Sequence, residues 1–239
     1  MLLCAGHQPN FWPYGGFFAK MDYADIFVIA DNLQYVKKEY HNRNRIKLAN
    51  GKEKWLTVPV INKGRLYQKI NEAEINYTSD WVSDHLNSIK FQYQKAPYFD
   101  LYFEKIEEIY RQKFTKLFDL NFAIINFCKN ELNISTETKL SSEMNAEGKA
   151  SEFIKAITLK SGCDSYLHGI HSLDYVDFKL LEQNKITNFI QTYTQQNYPQ
   201  INGEFLPNLA TLDILMNCGD KALELINKGN LVQSHREMT

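Results

Sequence analysis

The sequence predicts an α/β fold: a Rossmann-like, open and mainly parallel sheet carrying an antiparallel hairpin excursion and a helical insertion. Three observations predict it. The chain begins with a short apolar run, Leu2-Leu3-Cys4-Ala5, then a rigid loop, a helix-spaced segment, and a second apolar run from Asp25 to Asp31. That second run is apolar throughout, as strands buried on both faces of a parallel sheet are. The same alternation of strand and helix resumes after residue 133 and continues through the last third of the chain.

The first loop is His7-Gln8-Pro9-Asn10-Phe11-Trp12-Pro13-Tyr14-Gly15-Gly16. Two prolines fix φ where the chain leaves the first strand, and the paired glycines are expected to let the backbone turn into a helix. Phe17, Phe18, Met21 and Ala24 then fall at helical spacing, giving a helix over about 15–24. Residues 33–60 read as an antiparallel hairpin projecting from the sheet edge, with Asn50-Gly51 as its turn. Ile70 to Ile75 reads as one more short strand.

From Thr78 to Leu132 the pattern is helical. Thr78 or Ser79 caps a first helix bearing Val82, Leu86, Ile89 and Tyr93, and Pro97 ends it. A second follows from about Tyr98, and a third carries Leu117, Leu120, Ile124, Phe127 and Cys128. This block reads as an insertion, over about 78–132, in one α/β domain spanning 1–239. It either closes over a substrate or is plain scaffold. Then come a strand over Ile134–Leu140, a helix over Glu147–Lys160 ended by Gly162, and a strand over Asp164–His168. A helix over Leu173–Gln183, a strand over Ile186–Tyr193 and two closing helices near 208–217 and 220–228 complete the pattern. The last ten residues read as frayed.

The 239 residues carry a net charge of −1 and are 44% hydrophobic, the composition of an ordinary soluble globular protein. No apolar run approaches the ~18 residues of a membrane span, and no secretory signal is evident. Cys4, Cys128, Cys163 and Cys218 are scattered, without a Cys-x-x-Cys pair, and read as buried free thiols in a reducing compartment, hence the cytoplasm. Between Lys37 and Lys54 there are seven cations against two anions, a local +5 that leaves −6 for the rest. Such a patch suits a small anionic partner such as a nucleotide sugar, rather than nucleic acid, which favours a broader basic footprint.

In an open parallel sheet, ligands bind outside the carboxyl ends of the strands. Three loops belong there: His7–Gly16 with His7, Gln8, Asn10 and Tyr14; Ser141–Asn145 with Ser141 and Ser142; and Gly169–Ser172 with His171, Ser172 and the preceding His168. His7 is the candidate base, having a pKa near neutrality. A tight, packed turn is the plainer account of the same loop. Asn42-Arg43-Asn44-Arg45 is the second focus. On a strand, Arg43 and Arg45 share one face and form either an oxyanion fork or a solvated edge that discourages strand addition. Asp213 interrupts a helix apolar nearly all round, where a carboxylate is costly unless paired or functional. Glycine-rich phosphate loops and a nucleophile elbow are absent. His168-x-x-His171 lacks a third ligand, so no metal site is expected.

Together, His7-Gln8-Pro9-Asn10, Pro13-x-x-Gly16-Phe17-Phe18-x-Lys20, Ala24-Asp25-x-Phe27-Val28-Ile29 and Asn42-Arg43-Asn44-Arg45-Ile46-Lys47 resemble the WbqC-like family. Trp55-Leu56-Thr57-Val58-Pro59-Val60, Lys95-Ala96-Pro97-Tyr98-Phe99, Ser141-Ser142, Tyr198-Pro199-Gln200 and Leu212-Asp213-Ile214-Leu215 extend the resemblance over essentially the whole chain. Two positions depart from the family pattern: Asn32 follows Asp31 where a second acid is expected, and His168 stands where serine is more usual. The resemblance adds weight to Asn42, Arg43, Arg45 and Asp213 as substrate-binding residues. It implies a place among bacterial O-antigen and surface-polysaccharide proteins, with a suggested role in transferring an amino acid, glycine, onto a sugar.

The strand, proline-containing loop and helix also look like a distant nucleotidylyltransferase arrangement, in which a histidine loop holds phosphates over a helix amino terminus. The expectation is therefore an acyl- or aminoacyl-type transferase acting on an amino sugar of a nucleotide sugar. His7 would be base or phosphate ligand, Gln8 and Asn10 would orient the substrate, and Arg43 with Arg45 would bind its phosphate or carboxylate. Activation of the amino acid within this protein would need ATP or another nucleotide. A nucleotidylyltransferase proper, dependent on magnesium, and a non-catalytic sugar-nucleotide binding protein are the alternatives.

Overall fold

In the computed structural model, residues 1–238 are described. Their central feature is a six-stranded sheet built from β1 (Leu3–His7), β2 (Ile26–Ile29), β5 (Glu137–Leu140), β6 (Ser165–Gly169), β7 (Thr187–Tyr193) and β8 (Asn230–Ser234). Its order is β5-β2-β1-β6-β7-β8, parallel except for β8, which runs antiparallel to β7. The period-two alternation of the apolar strands sorts the two faces. Leu3, Ala5, Phe27 and Ile29 enter the larger core, with Phe17 and Phe18 of α1 (Gly15–Tyr23). Cys4, Ile26 and Val28 enter the smaller one, with Phe153, Ile154 and Ile157 of α5 (Ser151–Lys160) and Leu181 of α6 (Phe178–Gln183).

The helical block comprises α2 (Trp81–Tyr93), α3 (Phe99–Arg111) and α4 (Leu117–Glu131). Its apolar faces, including Ile89, Tyr102, Ile106, Leu120 and Ile124, join the same core as α1. Asp80, rather than Thr78 or Ser79, caps α2 by accepting from the Ser83 N–H. α7 (Thr211–Cys218) and α8 (Ala222–Asn227) pack on the same side, where the Asn227 amide donates to Asp22 at 2.7 Å.

The expected antiparallel hairpin is present: β3 (Arg43–Lys47) and β4 (Glu53–Thr57) form a two-stranded sheet separate from the main one. It docks on the first loop and on the chain before α7: the Asn44 amide donates to the Trp12 carbonyl, and the Ala210 N–H donates to the Arg45 carbonyl. Ile70–Glu72 is a 3-10 turn instead of a strand, because the Glu72 carboxylate reaches back to the Lys69 N–H at 2.9 Å. The expected helix over 173–183 is broken into a 3-10 turn, Ile170–Asp174, and α6, whose start is set by Asp177 accepting from the Leu180 N–H. Of the ten residues expected to be frayed, 230–238 are ordered, as β8, whose partner residues run from Phe189–Ser234 to Tyr193–Asn230, and a 3-10 turn over His235–Glu237; residue 239 lies outside the described residues.

The four cysteines are free and buried. No helix among the described residues is long and apolar enough to cross a membrane.

Candidate functional site

The strand order fixes where a ligand can enter. From β1 the chain steps to β2 on one side, and after β5 it crosses to β6 on the other. The carboxyl ends of β1 and β6 therefore diverge at the topological switch point, where open α/β sheets form their ligand crevice.

The loop that leaves β1 is pinned by side-chain amides. Asn121 of α4 donates to the Pro9 and His41 carbonyls, at 2.8 and 2.7 Å. Asn44 of β3 donates to the Trp12 carbonyl at 2.6 Å. Phe11 and Trp12 are fully buried, and Trp12 takes φ 44, a left-handed conformation that a bulky residue holds only when its surroundings enforce it. Here the indole N–H donates to the Tyr110 hydroxyl at 3.1 Å, and the Thr211 N–H donates to the carbonyl of Pro13.

The expected turning role of Gly15 and Gly16 is not what the structure uses. Both lie inside α1, and neither has positive φ. They are needed because phenol rings cross the helix amino terminus. A Cβ on Gly16 would sit 2.5 Å from the Tyr14 ring, and one on Gly15 would overlap the Tyr193 hydroxyl. In an open helix Gly→Ala stabilises by about 0.5–1 kcal/mol. Gly16→Ala is expected to do the reverse, costing about 1–3 kcal/mol by overpacking. A urea midpoint equal to or above that of the unsubstituted protein would contradict this. Tyr14 itself packs edge-on to Tyr193, with ring centroids 5.6 Å apart. Burial, and then Tyr40, raises its hydroxyl pKa.

At the head of the loop, hydrogen bonds fix two tautomers. The Val36 N–H donates to His41 Nδ1 at 3.2 Å, so His41 carries its proton on Nε2 and donates it to Gln8 Oε1 at 2.9 Å. With its oxygen held, Gln8 presents its NH₂ group as an unengaged donor. His7 Nδ1 lies 2.9 Å from the Gln8 carbonyl, which can only accept, so His7 carries its proton on Nδ1 and leaves the Nε2 lone pair free. Burial, then the Lys20 ammonium, lowers the His7 pKa to about 4, and burial lowers that of His41 to about 4. At neutral pH, His7 is thus a neutral imidazole with an open acceptor nitrogen. The Asn10 amide follows on the same loop, engaged by no side chain or backbone group of the described residues.

The other predicted residues are engaged by partners of their own. Ser142 gives its hydroxyl to Asp31 Oδ2 at 2.6 Å and its N–H to Asp31 Oδ1 at 2.9 Å. Ser141 Oγ lies 3.0 Å from the same carboxylate and 2.6 Å from Asn32 Oδ1. These serines tie β5 to β2 through Asp31, and the Asn71 amide adds a fourth donor. Arg43 and Arg45 share the predicted face, stacked 4.2 and 5.5 Å from the Trp55 ring centroid. Arg43 donates to the Lys38 carbonyl, and Arg45 pairs with Glu53 at 2.8 Å. Asn42 donates to the Val58 carbonyl at 2.7 Å, while its own Oδ1 is buried without a partner.

Asp213, at 0% exposure, accepts from Tyr93, Tyr198, Gln200 and Asn217. It joins α2, α7 and the loop before α7, and burial raises its pKa. The His168 Nε2 proton goes to Asn188 Oδ1 at 2.9 Å. Among the described residues no three His, Cys, Asp or Glu side chains converge as a metal cage.

An open groove of about 940 Å³ runs between β4 and α2, lined by Trp55, Trp81, His85 and Phe91 among others. None of its lining residues belongs to the loops after β1 or β6, and the chemistry described above points to the crevice instead.

Sequence reasoning missed His41, which orients Gln8, and Lys20, the one charged residue in the buried stretch Gly15–Met21. A lysine within so apolar a helix was the available signal for the second.

The sequence profile of the WbqC-like protein family matches residues 8–225. The chain is also 32% identical over 217 residues to the uncharacterized protein Rv1507c of Mycobacterium tuberculosis, covering 90% of this chain and 93% of that one. No solved structure gives a significant match. Gln8–Gly16 of the first loop, the pinned hairpin and the helical block thus sit within a match that runs nearly end to end and begins one residue after His7, and the chain belongs to the WbqC-like protein family.

Proposed function

We propose that the protein is a transferase of bacterial surface-polysaccharide biosynthesis, joining an amino acid or acyl group to the amine of an amino sugar carried as a nucleotide sugar. The observation that carries this reading is the neutral His7 imidazole, its Nδ1 proton anchored on the Gln8 carbonyl and its Nε2 open at the end of β1. A lone pair so placed suits a proton acceptor rather than a phosphate ligand, which needs a donor. The expected near-neutral pKa is not kept, and at about 4 His7 is a weaker base than a free imidazole, suited to take the amine proton only once attack has made it acidic.

In the reaction, the sugar amine attacks the carbonyl carbon of an activated acyl or aminoacyl donor. The new C–N bond forms as His7 Nε2 takes the amine proton. The bond to the leaving group then breaks with its electron pair, and His7 returns the proton to it. The free NH₂ of Gln8 and the amide of Asn10 are placed to hold sugar or carbonyl oxygens.

The test is mass spectrometry of UDP- and dTDP-linked amino sugars incubated with the protein and either acyl thioesters or glycine plus ATP and magnesium. The expected product carries the added acyl mass. His7→Gln is expected to lower kcat by roughly 10²–10⁴-fold while KM changes little. Release of pyrophosphate from a nucleoside triphosphate and a sugar phosphate would favour a nucleotidylyltransferase. Binding of the nucleotide sugar without turnover in any arm would favour a carrier.

A further inference from the structure

Gly15 to Met21 of α1 are all buried, and Lys20, at 6% exposure, is their one charged side chain. No carboxylate, hydroxyl or carbonyl among the described residues accepts a hydrogen bond from its ammonium, and none forms an ion pair with it. A buried cation is ordinarily paired, because taking it from water unpaired is expensive.

Its location is specific. The Nζ lies 3.8 Å from where a Cβ on Gly169 would stand, at the carboxyl end of β6. Its charge is felt at His7 on β1 and at His168 on β6. The same end of β6 leaves two further groups incomplete. His168, 1% exposed, donates through Nε2 and has no partner at Nδ1, and Ser172, in the turn that follows, has a buried hydroxyl without a partner. Buried polar groups without partners at the end of a strand beside a switch point call for an explanation, and a ligand in the crevice supplies one.

We propose that Lys20 is the oxyanion-binding residue of the β1–β6 crevice, holding a singly charged group of the substrate, either a carboxylate or a phosphodiester oxygen. The inference rests on the reading that this crevice holds the substrate. One charge is matched because Lys20 is the one cation of α1 and has no partner among the described residues, whereas Arg43 and Arg45 are held on Trp55 and Arg45 is paired with Glu53. Binding also has a chemical consequence. The Lys20 ammonium is the second cause, after burial, of the lowered His7 pKa. An anion on Lys20 cancels that contribution, so the substrate raises the basicity of the group that would deprotonate it.

The experiment compares thermal unfolding of the unsubstituted protein and Lys20→Met, each with sodium acetate, sodium dimethyl phosphate, or sodium chloride at matched ionic strength. Lys20→Met, relieved of an unpaired buried charge, is expected to melt about 5 °C or more above the parent without added oxyanion. Acetate or dimethyl phosphate, whichever is the matching chemistry, is expected to raise the melting temperature of the parent and to leave Lys20→Met where chloride leaves it. Equal stabilisation of both proteins, or a Lys20→Met that melts lower than the parent, overturns the proposal.

Trace acetylation of Lys20 in the unsubstituted protein, read by mass spectrometry, is a second measurement. The matching anion is expected to slow it at least tenfold, and an unchanged rate overturns the proposal. If Lys20→Met turns over in the transferase assay like the parent, this inference fails and the transferase reading stands. If the anion pattern holds while the parent shows no turnover, the binding residue stands and the transferase reading fails.

Discussion

Acidification from pH 6.5 towards pH 4 unfolds the protein steeply. His41 and His85 have their pKa lowered to about 4 and His168 to about 3, in each case chiefly by burial. All three side chains are buried, so solvent screening does little to soften the effect. In the unfolded chain these imidazoles titrate near 6.5. Between that value and the folded pKa the unfolded state binds protons that the folded state does not, so stability falls as pH falls. It is fully present above pH 6.5. Each group contributes a slope of about 1.4 kcal/mol per pH unit within the window, and three together about 4. His7, lowered to about 4 but partly open to solvent, adds less. From pH 6.5 to pH 4 the three together remove roughly 10 kcal/mol, comparable with a typical stability of about 5–15 kcal/mol, so the acid transition is expected within this window. Urea midpoints by circular dichroism at pH 7.5, 6.0 and 5.0 check this, and equal midpoints at all three would refute it. Asp213 works in the opposite direction: its pKa is raised by burial, so its protonation partly offsets the loss.

Asp213→Ala is expected to cost about 3–5 kcal/mol. Its carboxylate is the common acceptor for the Tyr93 and Tyr198 hydroxyls, both at 2.7 Å, and for the Gln200 amide at 3.0 Å. Removing it leaves the two buried hydroxyls facing a void and takes one acceptor from each of the Gln200 and Asn217 amides. The damage spreads, since the Tyr93 hydroxyl also accepts from the Lys47 N–H of β3, and Gln200 accepts from the Lys47 ammonium. Lys47 is itself buried, its pKa lowered by desolvation and partly restored by Asp213. At about 2–4 °C per kcal/mol for a chain of this size, the melting temperature should fall by roughly 6–20 °C. Asp213→Asn retains one acceptor oxygen and should lie between the two. A loss below 1 kcal/mol in Asp213→Ala, measured by denaturant unfolding at pH 7.5, would mean that the hydroxyls find other partners.

The parallel strands were legible in the sequence because burial on both faces leaves continuous apolar runs, such as Ile26–Ile29. β8 was not. Asn230-Leu231-Val232-Gln233-Ser234 is mostly polar, and it becomes a strand through its ladder with β7, a contact local sequence does not reveal. Ile70–Ile75 alternates like a strand, but the Glu72 side chain closes a tighter turn first.

At the site, prolines and glycines announced the loop, yet the reason for the glycines was invisible, since it lies in Tyr14 and Tyr193 crossing α1. Ser141 and Ser142 read as free hydroxyls because Asp31, their acceptor, is about 110 residues away in the chain. Gln8 read as a free amide for the same kind of reason, its partner His41 being 33 residues on.

The placement of β1 between β2 and β6 has a kinetic meaning. Leu3 pairs with Ser165, 162 residues later, so one wall of the crevice waits for the other until most of the chain has collapsed. Loops of that length close late and slowly, because their entropy is lost before the ladder rewards it. The β1–β2 unit with α1 can assemble early, from neighbours in sequence. During that interval the buried ammonium of α1 lacks its cover from β6, and water still solvates it. Docking of β6 strips that water away, so one long-range step of folding also desolvates the charge that the crevice carries.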